Sequence, residues 1–219
     1  METILTGTEG EVRISLELPT VIIGERINPT GRSWLTKQLT EGNLEILKDE
    51  AVKQIEEGAD VLDVNVGAAS VKEVELLPKA VQIIQETVGV PLCIDTADKD
   101  ALEAALKVYQ GKPLINSVNG EEASLERVLP LVAKYNASVI GLAMDDDGIP
   151  KDPEKRLEIA TKIVERAEAL GIPREDVVID CLALTVSAQP DAAIITLKAI
   201  DLVREELGVN QALGHSNVS

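Results

Sequence analysis

Short apolar runs that break off in a polar residue recur along the chain, with helical patterns between them. The clearest stretch is residues 91–120, PLCIDTADKDALEAALKVYQGKPLINSVNG. Pro91–Ile94 ends in Asp95, Pro113–Ile115 ends in Asn116, and Leu102, Ala105, Leu106 and Tyr109 share one helical face between them. The spacing predicts strand, helix and parallel strand, with a hydrogen-bonding side chain at the carboxyl tip of each strand. Parallel α/β folds bind ligands at such tips, because the loops there vary while the sheet holds them in place.

The rest of the chain repeats this unit. Val12, Ile14, Leu16 and Leu18 alternate with Arg13, Ser15 and Glu17 just after Glu9-Gly10, which predicts a small hairpin covering one end of a barrel. Thr20–Gly24 reads as the first core strand, ending in the polar cluster Glu25, Arg26 and Asn28, with a loop at Pro29-Thr30-Gly31-Arg32. Leu44, Leu47, Ala51, Val52 and Ile55 mark a helix from Asn43 to about Gly58. In the strand Val61–Val66 the alternation of Asp63 and Asn65 turns both polar side chains to the same side. Ser70-Val71-Lys72-Glu73 has capping-box form, and Pro78 is expected in the first turn of the main helix.

A helix over about Ser124–Tyr135 and a strand at Ala137–Met144 follow, then the acidic loop Asp145-Asp146-Asp147-Gly148. That loop lacks the spaced ligand set of an EF-hand and reads as a solvated turn. Asp152-Pro153-Glu154 is a helix start, and Leu157, Ala160, Ile163, Val164 and Ala167 are its expected buried face. Val177–Cys181 gives the sixth core strand with Asp180 at its tip. After a helix ending at Gly208, Gln211–Asn217 gives the seventh.

This β(αβ) series predicts an α/β fold, a (β/α)8 TIM barrel. A dinucleotide-binding sheet would carry G-x-G-x-x-G after its first strand, and that motif is absent. The expected organisation is a hairpin extension over residues 1–20 and one barrel domain over 21–219, with the last strand–helix unit missing from this chain.

Composition narrows the function. The chain has 219 residues, enough for a full core, with 21 Lys plus Arg against 38 Asp plus Glu, a net charge of −17. That balance offers no basic footprint for nucleic acid. Neither a membrane span nor a signal-peptide layout is visible, which points to a cytoplasmic protein. Cys93 and Cys181 fall in apolar runs and His215 stands alone, so no metal-ligand spacing arises and no protein-bound metal is expected. With Trp34, Tyr109, Tyr135 and no Phe, a flat heterocycle would be held by hydrogen bonds and aliphatic contacts.

Together the strand tips offer Glu25 and Asn28, Asp63 and Asn65, Asp95, Asn116, Met144 and Asp145, Asp180, and Ser216 with Asn217. They are carboxylates and amides with little positive charge and no nucleophile–base pair. Such a set suits a neutral polar heterocycle edge. The 2-amino-4-oxo pyrimidine of a pterin matches it, with adjacent N–H donors for Asp and an oxygen for an Asn amide.

At these residues the chain resembles the pterin-binding-domain family, especially methyltetrahydrofolate:corrinoid-protein methyltransferases and the folate module of cobalamin-dependent methionine synthase. GERINPTG (24–31), EGADVLDVNVG (57–67), PLCIDT (91–96), LINSVNGE (114–121), IGLAMDDDGIPKDPEKRL (140–157), VIDCL (178–182) and GHSNVS (214–219) carry the resemblance. It implies a TIM barrel that takes its folate at the carboxyl face. Asp95, Asn116 and Asp180 would hold the pterin, and Asn217 would contact N5. Glu25, Asn28, Asp63, Asn65, Met144, Gly214 and Ser216 are secondary candidates. In the word GHSN, His215 precedes the Ser where the resemblance leads one to expect an aliphatic residue. The implied substrates are tetrahydrofolate or 5-methyltetrahydrofolate and a corrinoid carried by a partner protein, and the implied assembly is a homodimer. The alternatives are a dihydropteroate synthase-like pterin enzyme, or a non-catalytic folate-binding or docking module of a corrinoid assembly.

Overall fold

The computed structural model describes residues 1–69, 71–183 and 191–214. A two-stranded hairpin, β1 (Thr3–Thr6) and β2 (Glu11–Ile14), precedes the core strand β3 (Ile23–Ile27). Helices α1 (Ser33–Thr40) and α2 (Glu45–Glu56) lead to β4 (Val61–Val64), and α3 (Glu73–Val88) to β5 (Leu92–Asp95). Then come α4 (Lys99–Val108), β6 (Leu114–Asn119), α5 (Glu122–Tyr135), β7 (Ser138–Leu142), α6 (Pro153–Ala169), β8 (Val177–Asp180), α7 (Ala192–Glu206) and β9 (Gln211–Ala212). The sheet order is β3-β4-β5-β6-β7-β8-β9, so each core strand adds next to its predecessor, the order of a TIM barrel. The chain forms two compact units, Ile4–Asn116 and Met1–Thr3 with Ser117–Ser219.

Within the Ile4–Asn116 unit, β3, β4, β5 and the start of β6 pair in parallel. Val61, Leu62, Val64, Leu92, Cys93, Ile94, Leu114 and Ile115 are fully buried, the continuous apolar pattern of a sheet covered on both faces. The first core strand lies three residues later than expected. Ile22 stays 54% exposed, whereas Ile27 reaches the core. A register shift between Gly24 and Ile27 accommodates the exposed Glu25 and Arg26 inside the strand. A Cβ at Gly24 would stand 2.6 Å from Oε1 of the buried Gln54, which accepts from Arg26 N–H at 2.9 Å, so any larger residue there must displace that side chain.

The hairpin forms, but its second strand stops at Ile14, and Leu16 and Leu18 remain exposed rather than extending the alternation. It bonds to the segments leading into β5 and β6. Thr6 N–H donates to Lys112 C=O at 3.0 Å, and Glu9 N–H to Gly89 C=O at 3.1 Å. Gly111 meets Thr6 so closely that a Cβ would lie 2.4 Å from its carbonyl oxygen, and its φ of 114° favours glycine as well. Tyr109 ends α4 rather than lining it. Its hydroxyl donates to Thr6 C=O at 2.9 Å and accepts from Leu92 N–H at 3.0 Å.

Two further expectations are corrected here. Pro78 lies inside α3, not in its first turn, and α3 starts at Glu73 after Lys72, which caps it without a side-chain bond. Helix α1 follows the Pro29–Arg32 loop, where the apolar pattern gave no helix; Leu35 and Leu39 are its buried residues.

In the other unit, β7 and β8 pair in parallel from Val139↔Val177 to Leu142↔Asp180, and β8 continues onto β9. Asp152 caps α6 as expected, its Oδ1 accepting from Glu154 N–H at 3.2 Å. The buried face of α6 is Arg156, Ile159, Ala160, Ile163, Val164 and Ala167, so Arg156 takes the place expected of Leu157. Asp145–Gly148 closes as a turn, with Gly148 N–H donating to Asp145 C=O at 2.8 Å. Of the strand expected at Gln211–Asn217 only Gln211–Ala212 form β9, with Leu213 and Gly214 beyond its end; residues 215–219 and Ser70 lie outside the described residues.

Tyr109→Phe leaves the Leu92 N–H without its partner, and the expected loss is about 1–3 kcal/mol. Urea unfolding checks this, with the midpoint falling and the slope unchanged.

Candidate functional site

Strand register builds a polar corner within the Ile4–Asn116 unit. Parallel pairing sets Asp63 beside Cys93 and Asp95 beside Asn116. Asn65, one residue past β4, falls on the same side as Asp63, as the alternation predicts. Four polar side chains therefore meet at the tips of β4 and β5 and beside Asn116 inside β6, which runs on to Asn119 rather than ending at Asn116 as expected. Asn65 Nδ2 donates to Asp95 Oδ2 at 2.9 Å, and Asn116 Nδ2 donates to Asp63 Oδ1 at 3.1 Å. Asn65 Oδ1 accepts from Gly67 N–H at 2.8 Å, which fixes the amide.

The turn after Asp95 is held just as closely. Thr96 Oγ1 accepts from Asp98 N–H at 3.0 Å, and Asp98 caps α4 by accepting from Asp100 N–H at 2.8 Å and Ala101 N–H at 3.1 Å. Thr96 N–H reaches Asn116 C=O at 3.3 Å. The half-buried Asp95 and Asn116 thus project from a turn and a strand with little freedom.

The electrostatics are unusual because the partners are amides. Asp63 is 4% exposed. Burial, with Asp95 and Glu25 adding repulsion, pushes its carboxyl from 3.8 up to about 7, against the hydrogen bonds from Asn116 and Cys93. Burial also raises Asp95; the Asn65 bond opposes this and Glu73 adds to it. Among the described residues, Asp95 Oδ1 and Asn116 Oδ1 accept no hydrogen bond. Asp63 is more buried than a secondary contact need be, and it supports Asn116 from beneath.

The other unit carries its own polar tip, at the end of β8. Asp180 is half-buried, and its Oδ1 accepts from Leu182 N–H at 2.7 Å. Burial raises its carboxyl, opposed by the Leu182 N–H and by the Arg156 guanidinium. Leu182 sits at φ 61°, in the left-handed region that a branched side chain rarely adopts. Arg156 escaped the sequence reading, although its spacing to Ala160, Ile163 and Ala167 places it on the buried face of α6.

The other candidates contribute differently. Glu25 is exposed in the β3 bulge and reaches the site through its charge on Asp63. Asn28 turns the chain, its Oδ1 accepting from Thr30 N–H at 2.9 Å. Met144 offers its backbone C=O to Gly120 N–H at 2.8 Å, and Gly214 is half-buried past β9. Ser216 and Asn217 lie outside the described residues. Both cysteines are buried. The Cys93 thiol is pushed well above its ordinary range, chiefly by burial, and burial takes Cys181 to about 12. They are therefore thiols near neutrality, not nucleophiles. Among the described residues no three His, Cys, Asp or Glu are grouped to hold a metal ion. No helix among them is long and apolar enough to cross a membrane.

Parallel strands with polar tips define the class of ligand-binding α/β enzymes, and comparison with known proteins narrows it. The pterin binding enzyme family model matches residues 24–219. The methylcorrinoid:tetrahydrofolate methyltransferase of Eubacterium limosum is 31% identical over 91% of this chain and 74% of its own. The methionine synthase of Mycobacterium leprae is 28% identical over 91% of this chain, which spans 17% of that protein. Among solved structures, Yersinia pestis DHPS with a pterine-sulfa conjugate aligns with a TM-score of 0.70 at 18% identity, over 99% of this chain and 78% of its own. Xanthomonas albilineans dihydropteroate synthase, solved with 7,8-dihydropteroate, aligns at 0.60 and 22% identity, over 93% of this chain and 74% of its own. The chain belongs to the pterin binding enzyme family.

Because the carboxyl of Asp63 titrates near 7 when folded and near 3.8 when unfolded, folding takes up a proton between those values. Stability therefore falls as pH rises across that window and levels off above it. Asp63→Asn is expected to flatten this limb by up to one proton, about 1.4 kcal/mol per pH unit. Unfolding free energies measured from pH 4 to 8 check it.

Proposed function

We propose that this protein transfers a methyl group between N5 of tetrahydrofolate and the cobalt of a corrinoid carried by a separate protein. The observation that carries this reading is the match to the methylcorrinoid:tetrahydrofolate methyltransferase, at 31% identity over most of both chains. The dihydropteroate synthase likenesses, at 18–22% identity, speak to the fold alone. The amide-and-carboxylate chemistry of the described strand tips supports the reading, since it suits an uncharged pterin edge.

In this proposal Asp95 accepts from the pterin's adjacent N–H donors and Asn116 meets its polar edge. Asp180 is a third holder by the resemblance of its VIDCL segment. Their free oxygens are the acceptors such an edge needs. Orientation matters because in-line displacement tolerates little misplacement. In the direction from 5-methyltetrahydrofolate to the corrinoid, the cobalt electron pair forms the new bond to the methyl carbon, the C–N5 bond breaks, and N5 keeps the electron pair of the broken bond and takes a proton. A tertiary amine is a poor leaving group, so N5 must gain positive character as the bond breaks. Asn217, in the GHSN segment, is the amide assigned to that atom, with an interaction that grows in the transition state. The partner is the corrinoid protein, and the resemblance also implies a homodimer.

Anaerobic mixing with 5-methyltetrahydrofolate and free cob(I)alamin, followed by cobalt absorbance, tests the proposal. Conversion to methylcobalamin is expected, with Asn217→Ala slower by ~10²–10³ at saturating folate and little changed in folate affinity. Equal losses in rate and affinity would reduce Asn217 to a binding residue. Folate binding without conversion in the wild type would favour a docking module, and no folate binding would sink the pterin reading.

A further inference from the structure

Arg156 is a fully buried guanidinium in the first turn of α6, on no surface that a substrate or partner could touch. A buried charge is costly unless its donors are used, so what they hold is informative. Nε donates to Pro150 C=O at 2.8 Å, in the loop before α6. Nη1 donates to Cys181 C=O at 2.6 Å and Leu182 C=O at 2.9 Å, and reaches Thr196 Oγ1 at 3.2 Å. Thr196, from α7, itself donates to Leu182 C=O at 3.1 Å. Among the described residues Arg156 Nη2 has no partner. One side chain thus ties the α6 entry loop, the turn after β8 and α7 together.

What is tied is the turn that carries Asp180. The Asp180 carboxylate accepts from Leu182 N–H, while the Leu182 carbonyl is gripped from the other side by Arg156 and Thr196. Between those grips Leu182 adopts φ 61°. A leucine stays in that region only when its surroundings over-determine it. With one oxygen committed to Leu182, the plane of the carboxylate is set by the turn, and the turn by Arg156.

We propose that Arg156 is a positioning residue for folate binding: it clamps the Cys181–Leu182 turn and thereby orients the Asp180 carboxylate toward the pterin. This rests on the pterin reading above. It assigns the guanidinium a specificity role rather than a share of general stability. Lysine keeps the charge but cannot serve two loops with a planar fork.

The test compares equilibrium binding of 5-methyltetrahydrofolate and thermal midpoint in four proteins: wild type, Arg156→Lys, Thr196→Val and Ser138→Ala. Ser138→Ala is the stability control, because it removes a buried 3.0 Å bond to Asp176 Oδ1. Arg156→Lys is expected to weaken binding about tenfold or more, and Thr196→Val severalfold in the same direction. Ser138→Ala should lower the midpoint and leave affinity unchanged. If Arg156→Lys does not fold, Thr196→Val alone decides, and unaltered affinity there overturns the proposal. Wild-type affinity in Arg156→Lys, or a loss matched by Ser138→Ala, also overturns it. Absence of binding in the wild type strikes the pterin reading itself, and the Arg156 role falls with it.

Discussion

Two carboxylates share a buried corner of this protein with amides where cations would ordinarily stand. Burial raises the cost of ionising both, Asp95 adds to that cost at Asp63, and the groups that bond to them are Asn116 and Asn65. The geometry of β4, β5 and β6 serves that arrangement. Register sets Asp95 beside Asn116, the alternation past Asp63 brings in Asn65, and the Thr96–Asp98 turn locks the tip of β5. Each amide commits one of its two N–H groups to a carboxylate, and Asp95 Oδ1 and Asn116 Oδ1 are left as open acceptors among the described residues. A ligand that completes it must bring N–H groups and need not be charged.

The Asp180 tip solves the same problem in a different way. Its carboxylate accepts a backbone N–H, and a buried guanidinium nearby opposes the effect of burial. Arg156 spends its donors on carbonyls, not on the carboxylate, so Asp180 keeps an oxygen free of Leu182 while its charge is still favoured. The Asp63–Asp95 corner is tuned by burial, with the charge of Asp95 adding to it at Asp63, and the Asp180 tip by burial opposed by a cation that bonds the adjoining backbone. Substitutions that look alike at the two places therefore have different consequences.

Much of this was legible in the sequence. Apolar runs ending in Asp95 and Asp180 marked strand tips because a covered parallel strand reads as an uninterrupted apolar run, whereas β6 runs on past Asn116 to Asn119, so Asn116 lies inside its strand. The alternation in VLDVNV placed Asp63 and Asn65 together because side chains in an extended chain change face at every residue. The misses have physical causes. The β3 bulge holds Glu25 and Arg26 within a strand where apolar counting ends it, and the hairpin's alternation runs past Ile14 although the strand does not. Pro78 sits deeper in its helix than capping logic allows. Arg156 was passed over because a charged residue is normally assigned to the solvent face, whereas its position on α6 obeys the buried period. Asn217, assigned by resemblance, is beyond what the described residues address.

The central claim is that this chain recognises a pterin through acceptors that await N–H donors, and one comparison reaches it directly. Binding of 5-methyltetrahydrofolate is measured beside that of its analogue in which the 2-amino group is replaced by methyl. The account predicts that the analogue binds at least about a hundredfold more weakly, because buried acceptors would be left unpaired. Equal affinity for the two would mean that the strand-tip carboxylates and amides do not read the pyrimidine edge, and would contradict the account.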